Sequence, residues 1–335
     1  MGFKVCVAGA TGNVGRTMIQ ILEERNFPVD RLRLLASSRS VGKKLTFRGQ
    51  EIAVEELTLS SFEKGEIVLS SPGGSVSKWY APSAAKAGAL VIDNTSAFRM
   101  EKNVPLVVPE VNPQEAFNHE GIIANPNCST IQMVVVMKPL HDAARIERVV
   151  VSTYQAVSGA GIAAITELAD QSKAILENRE YAPKVFPHQI AFNCIPQIPQ
   201  KNAFGQNFYS EEEIKMVNET KKIMKDDSIR VTATTVRVPV FTGHSESVNI
   251  ETSRKLTREQ AIDILSKAPG VTVMDDPAAQ IYPLASIAEG KNTTFVGRIR
   301  EDISHKSALD MWIVSDNLRK GAALNAVQIA ELFIK

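Results

Sequence analysis

Cysteine is scarce: 3 residues in a chain of 335, at the widely separated positions Cys6, Cys128 and Cys194. An odd, sparse set excludes a disulfide framework, and no Cys/His cluster has zinc-ligand spacing, so no metal is expected. A surplus of either charge is also missing, with 38 Lys+Arg against 37 Asp+Glu. No block of five or six like charges marks a nucleic-acid arm or a disordered tail, so the expected ligand is small and nucleic acid is not a partner. Long hydrophobic runs are absent too. The run MVVVM at Met133–Met137 falls far short of the roughly 20 residues that span a membrane. The opening MGFKVCVAGATG enters a strand pattern without the basic start, apolar stretch and cleavage site of a secretory signal. A soluble, cytoplasmic protein is expected. There are no internal repeats, low-complexity tracts or long linkers. The length suits two domains, each able to bury a core without staples.

What is present is alternation. FKVCVAG reads as a buried strand, GRTMIQILEERNF as an amphipathic helix and RLRLLAS as a second strand; GEIVLSSPGG, SKWYAPSAAKAGA, LVIDNTS and EGIIANPN continue the pattern. That βαβ order predicts an α/β, Rossmann-type, doubly wound parallel sheet over residues 1–127. Beyond Asn127 the strands lengthen and alternate with polar residues, as in RVVVSTYQAVS, SIRVTATTVRVPVF, ESVNIETSR and TFVGRIRED, with helices YSEEEIKMVNETKKIM and TREQAIDILSKA between them. This predicts an α+β domain over 128–317, built on a mostly antiparallel sheet with helices on one face. In NLRKGAALNAVQIAELFI, Ala322, Ala326, Ala330 and Phe333 recur at helical spacing. A helix over 318–335 is expected to return to the first domain.

GATGNVG puts Gly9, Gly12 and Gly15 between the first strand and first helix, where a pyrophosphate meets free backbone amides. The spacing G-x-x-G-x-x-G is a variant of the dinucleotide fingerprint, and its strand–turn–helix context favours dinucleotide binding over a plain connecting turn. After the second strand, where an acid would bind a ribose 2′-hydroxyl, the chain has Ser37, Ser38, Arg39 and Ser40. Donors and a positive charge suit a 2′-phosphate, hence NADP; a solvated basic loop is the other reading of the same residues.

In ANPNCST, Asn125-Pro126-Asn127 breaks the chain and Cys128 opens the next helix. A thiol there meets unpaired N–H groups and the positive end of the helix dipole, both favouring thiolate. A small buried cysteine would fit the position equally well. Cys6 and Cys194 read as structural.

GATGNVG, NPNCST, YQAVSGAG and RVPVFTGHSE, in this order across nearly the whole chain, resemble the aspartate-β-semialdehyde dehydrogenase family. The resemblance implies a glyceraldehyde-3-phosphate dehydrogenase-like architecture with a catalytic and dimerisation domain. It implies NADPH-dependent reductive dephosphorylation of L-aspartyl-β-phosphate to L-aspartate semialdehyde, which feeds lysine (through diaminopimelate), threonine and methionine biosynthesis. Cys128 becomes the nucleophile, Gln155 orients the acyl group and His244 is the general acid/base. Arg99 and Lys215 fall to phosphate, Arg237 to the substrate carboxylate, Glu212 to its ammonium, and Asn127 lines the substrate. Thr11, Asn13 and Val14 join Gly9, Gly12, Arg39 and Ser40 around the cofactor, with Ser158, Gly159 and Asn317 near the nicotinamide. Glu211, Glu212 and Glu213 are adjacent, so the register of that match stays open. The resemblance also implies a homodimer or homotetramer. Without the motifs, His244 reads as an exposed turn residue and Arg237 as a strand residue facing solvent. His119, His141, His188 and His305 read as structural. Two alternatives stand beside this reading: N-acetyl-γ-glutamyl-phosphate reductase, which needs no acid for a free ammonium, and a non-catalytic dinucleotide-binding paralogue.

Overall fold

The computed structural model describes residues 2–199, 201 and 203–334; the expected domain ends at Met1 and Lys335 lie outside these. Contacts divide the chain into one unit of Met1–Asn127 with Ala322–Lys335 and a second of Cys128–Gly321.

In the first unit, strands β1 (Phe3–Ala8), β2 (Val29–Ala36), β3 (Lys44–Phe47), β4 (Gln50–Glu56), β5 (Glu66–Ser70), β6 (Leu90–Asp93) and β7 (Ile122–Ala124) form a sheet ordered β3-β4-β2-β1-β5-β6-β7. All neighbours are parallel except the β3–β4 hairpin. Successive strand side chains point to opposite faces, and the core follows that period. Val5, Val7, Leu34, Ile67, Leu69 and Ile92 enter one apolar cluster with helix α1 (Asn13–Glu24) and the C-terminal helix Leu324–Glu331. Cys6, Ala8, Leu35, Val68 and Val91 enter the other with Tyr80, Ala81 and Ala84 of α2 (Gly74–Lys86). Helices therefore cover both faces. Strand order reverses about β1, so the turn after β1 lies at the switch point where open α/β sheets bind ligands.

The second unit holds β8 (Ile146–Gln155), β9 (Arg230–Arg237), β10 (His244–Thr252), β11 (Val271–Val273), β12 (Thr294–Glu301) and β13 (Ala308–Ser315), ordered β11-β12-β13-β10-β8-β9. Three neighbouring pairs are antiparallel and two, β8–β9 and β11–β12, are parallel. The sheet is thus mixed. The β8 to β9 connection carries α4 (Ile162–Leu176) and α5 (Glu211–Met224), the long crossover that parallel neighbours require. Helix α3 (Cys128–Ala144) lies against β8, β10 and β13 on one face.

The helix expected over 318–335 is present over Arg319–Glu331 but is not α-helical throughout. A π-helical turn covers Arg319–Ala323, and the α-helix begins at Leu324. Asp316 is the cause: its Oδ1 accepts from the N–H groups of Leu318 at 2.8 Å and Arg319 at 3.0 Å, and its carbonyl accepts from Gly321 N–H at 3.1 Å. Cys194, expected to be structural, is exposed, because the segment around it forms turns and a single bridge rather than a strand.

Candidate active site

The first unit carries a cleft of about 530 Å³ at the end of β1, lined by Gly9, Thr11, Gly12 and Arg39 among the expected cofactor residues. Each glycine of the turn has a separate steric reason. Gly9 has φ +82°, and a Cβ there would lie 2.7 Å from the Ser71 backbone. At Gly12 a Cβ would meet only the Gly9 carbonyl oxygen, at 3.4 Å, so this face of the turn is open. A Cβ on Gly15 would run into the Gly9 carbonyl, so this glycine lets α1 press onto the strand. Gly12 caps α1 with no side-chain acceptor, leaving first-turn N–H groups available to an anion.

Ser40, Asn13 and Val14 are not among the cleft-lining residues. Ser40 is buried, with Oγ 3.4 Å from Thr11 Oγ1; the Asn13 amide nitrogen is buried without a partner; Val14 packs on the core. Trp79 and Glu56 are among the lining residues that the sequence did not point to. Trp79 of α2 adds an apolar wall, and Glu56 of β4 stands in register with Ala36 of β2, an acid from the neighbouring strand where none was expected. Arg99 is buried, and its guanidinium donates to the carbonyls of Asn94 and Asn125, both at 2.9 Å. Asn125 is held further by Asn94 Oδ1 at 2.7 Å and by Asn325 at 2.7 Å, which fixes the turn leading to buried Asn127.

The second unit assembles its site from sheet register. Gln155 at the end of β8 pairs with Arg237 on β9, His244 at the start of β10 pairs with Ser315 on β13, and Ser245 pairs with Tyr154. Arg237, Gln155, His244 and Ser315 therefore form one row across four strands, each no more than 4% exposed. The next row on the same face is Thr235, Thr153, Glu246 and Ile313, and the one below it, Ala233, Val151, Val248 and Met311, is apolar. Chemistry occupies the strand ends and core the strand middles.

Cys128 opens α3 over this face, partly exposed. A Cβ added to Gly321 would sit 2.8 Å from Cys128 Cβ, so the π-helical turn presses bare backbone against the thiol-bearing residue. Gln155 Nε2 donates to Ser129 Oγ at 2.7 Å and to Glu212 Oε1 at 3.3 Å. The Arg237 guanidinium donates to the Ala156 carbonyl at 2.6 Å and is pulled below its usual range by burial, against the opposing charges of Glu212 and Cys128. His244 is wholly buried. Burial first, then the Arg237 charge, hold its imidazole well below the ordinary value. Its Nδ1 accepts from Ala156 N–H at 3.0 Å, which places the proton of the neutral ring on Nε2, a buried nitrogen with no other partner. Gly159 keeps this corner open, since a Cβ there would lie 3.1 Å from Arg237 and 3.3 Å from His244. Asn317 Oδ1 accepts from Gly243 N–H at 2.9 Å, and its amide donates to Ser158 Oγ at 2.9 Å.

Of the three adjacent glutamates, geometry distinguishes one. Glu213 serves the capping box of α5, accepting from Ser210 N–H at 2.7 Å and from Thr235 N–H at 2.9 Å. Half-exposed Glu211 pairs with Lys215 at 2.7 Å. Glu212 is buried toward Gln155, with Lys215 3.6 Å away. The remaining histidines stay outside the row: His119 touches Phe333, His141 lies 3.8 Å from Asp226, and His188 and His305 are exposed. Among the described residues no three His, Cys, Asp or Glu side chains are arranged to hold a metal, and no helix is long and apolar enough to cross a membrane.

A doubly wound unit with a glycine turn, and a mixed-sheet unit with a cysteine above a buried His–Gln–Arg row, define a two-unit chain with a cysteine-bearing candidate active site. Residues 4–119 match the family profile described as semialdehyde dehydrogenase, NAD binding domain, and residues 137–320 that of the semialdehyde dehydrogenase dimerisation domain. Aspartate-semialdehyde dehydrogenase of Aquifex aeolicus is 57% identical over 340 residues, covering 100% of this chain and 99% of that one; the Bacillus subtilis enzyme is 55% identical, covering 98% and 97%. The crystal structure of aspartate semialdehyde dehydrogenase II from Vibrio cholerae complexed with ASA superposes with TM-score 0.95 at 50% identity, covering 100% and 98%. The enzyme from Candida albicans with NADP superposes with TM-score 0.75 at 26% identity, covering 99% and 98%. The chain belongs to the aspartate-semialdehyde dehydrogenase family. Binding of a nicotinamide dinucleotide goes with its first unit, and a dimerisation domain with its second.

Proposed function

We propose that the chain reduces L-aspartyl-β-phosphate to L-aspartate semialdehyde through a thioester on Cys128, with NADPH as reductant. The observation that carries this reading is the buried row of Arg237, Gln155 and His244 on the face covered by the helix that Cys128 opens. Thiolate attack on the acyl carbon forms the C–S bond and expels phosphate, dividing a hard displacement into two steps. Arg237 holds the substrate carboxylate through its guanidinium fork, Glu212 the ammonium, and Arg99 with Lys215 the phosphate; Asn127 lines the substrate. Gln155 fixes the acyl group. His244 presents its Nε2 proton to the oxygen on which negative charge develops, joined by N–H groups of the α3 first turn, and it is the proton carrier of the cycle. The C–S bond breaks as aldehyde is released and the thiolate is restored.

Gly9, Thr11 and Gly12, with Asn13 and Val14 at the start of α1, would hold the dinucleotide pyrophosphate. Arg39 and Ser40 would take the 2′-phosphate, and Ser158, Gly159 and Asn317 the nicotinamide end. Bound NADPH supplies the hydride for the acyl carbon. An acid for the free ammonium favours this substrate over an N-acetylated one. The uncovered face of the second sheet, where the rings of Tyr154 and Trp312 lie 5.2 Å apart, is the surface through which two copies pair, and tetramers would be pairs of such dimers. Thiols not joined in disulfides fit a cytoplasmic setting. The test is phosphate-dependent NADP reduction with aspartate semialdehyde and none with N-acetylglutamate semialdehyde; the reverse pattern rejects the reading. Cys128→Ala abolishes turnover while leaving NADP affinity within about twofold, as expected when a nucleophile acts only in the chemical step. Substantial residual turnover contradicts the role.

A further inference from the structure

One ionisable side chain on this face has no part in the chemistry above. Glu246 on β10 is wholly buried in the row beneath His244, in register with Thr153 on β8 and Ile313 on β13. Ser129 and Gln132 from α3 face its carboxyl group, and burial pushes that group well above the usual carboxylate range against their opposing influence. By strict geometry neither carboxyl oxygen completes a hydrogen bond, and the Gln132 amide nitrogen and Thr153 hydroxyl are likewise buried and unpartnered, yet Ser129 and Gln132 stand close enough to act on the carboxyl as hydrogen-bonding groups. A buried donor or acceptor left unmatched is costly, and here four such atoms of complementary type share one cluster. No cation acts on Glu246, so an ion pair does not account for an acid at this depth.

The cluster connects directly to the row above. Ser129 Oγ accepts from Gln155 Nε2 at 2.7 Å, and Gln132 Oε1 accepts from Ser315 Oγ at 2.7 Å. Residues three apart on a helix share a face, so Ser129 and Gln132 reach down together from the turns that follow Cys128. We propose that Glu246 is a positioning residue for the reaction: its carboxyl group bridges Ser129 and Gln132 and, through Ser129, fixes the amide of Gln155. The inference rests on the reading of Gln155 as the group that orients the acyl carbon. A neutral acid suits the bridge, because it donates one hydrogen bond and accepts others. Glutamine shares that capacity and leucine lacks it.

The test measures kcat and KM for phosphate-dependent oxidation of aspartate semialdehyde in Glu246→Gln, Glu246→Leu and Gln155→Ala, and in the Glu246→Leu/Gln155→Ala pair. Glu246→Gln keeps kcat within about threefold of the parent. Glu246→Leu lowers kcat by roughly a hundredfold, the scale of a small misplacement at a reacting centre, with NADP affinity unchanged. In the pair, the second substitution adds less than about threefold, because both interrupt one connection. Equal activity of Glu246→Leu and parent, or losses that multiply in the pair, overturns the proposal. Should the leucine variant fail to fold, Ser129→Ala cuts the same link with a smaller change; its loss must also fail to multiply with Gln155→Ala, and a multiplicative result overturns the proposal equally. A parent enzyme without phosphate-dependent activity on this aldehyde would reject the functional reading instead, so the two failures are distinguishable.

Discussion

At the scale of the residue, two buried groups on β10 are displaced toward neutrality from opposite directions. His244 is pulled down by burial and the Arg237 charge, and Glu246 is pushed up by burial. The unfolded chain therefore takes up a proton at His244 first, so that contribution destabilises the fold as pH drops below about 6.5. At Glu246 the unfolded chain loses its proton first, and stability declines as pH rises above about 4.3. Glu246→Gln removes only the second effect. Calorimetry should find its Tm above that of the parent at pH 8, with the gap shrinking toward pH 4.5; a gap independent of pH contradicts the assignment. Arg39 poses a separate residue-scale question, because Glu56 lines the same cleft and its charge opposes a phosphate. If Arg39 binds the 2′-phosphate, Arg39→Ala raises KM for NADP by roughly tenfold or more, as loss of a charge-assisted hydrogen bond implies, and changes KM for NAD by less than about twofold. Equal effects on both cofactors would assign Arg39 to solvent.

At the scale of the element, α5 shows how a cap sets a functional side chain. Ser210 accepts from Glu213 N–H at 3.3 Å while Glu213 returns the bond, and this start fixes the first turn from which Glu212 is buried. Ser210→Ala should cost about 1–2 kcal/mol, read as a lower urea midpoint with unchanged slope; an unchanged midpoint would show the cap to be idle. The βαβ alternation of the first half was legible because the central strands β1, β5 and β6 are covered on both faces and so read as nearly continuous apolar runs. The β3–β4 hairpin was not. Its two-residue turn is Arg48-Gly49, with φ values of +49° and +74°, a primed turn without the Asn-Gly or Asp-Gly signal. Parallel pairing of β8 with β9 also escaped, since local alternation carries no information on which edge a strand joins after a long crossover.

At the scale of the whole molecule, motifs and the order of elements were readable while burial was not. Cys128 announced itself by its place after Asn125-Pro126-Asn127. His244 looked like an exposed turn residue and Arg237 like a solvent-facing strand residue, yet they are 0% and 4% exposed, because strands distant in sequence enclose them. Gly321 and Glu246 left no local signal: one is recognised by the cysteine it touches, 193 positions away, and the other only through cross-strand register. The family emerges from the combination, a dinucleotide-binding unit followed by a dimerisation domain, while the chemistry depends on a single sulfur. Mass spectrometry of peptides from enzyme acid-quenched after mixing with aspartate semialdehyde and NADP, without phosphate, addresses that sulfur directly. An aspartyl adduct confined to the Cys128 peptide is predicted; no adduct while NADP is reduced, or an adduct on Cys6 or Cys194, would contradict it.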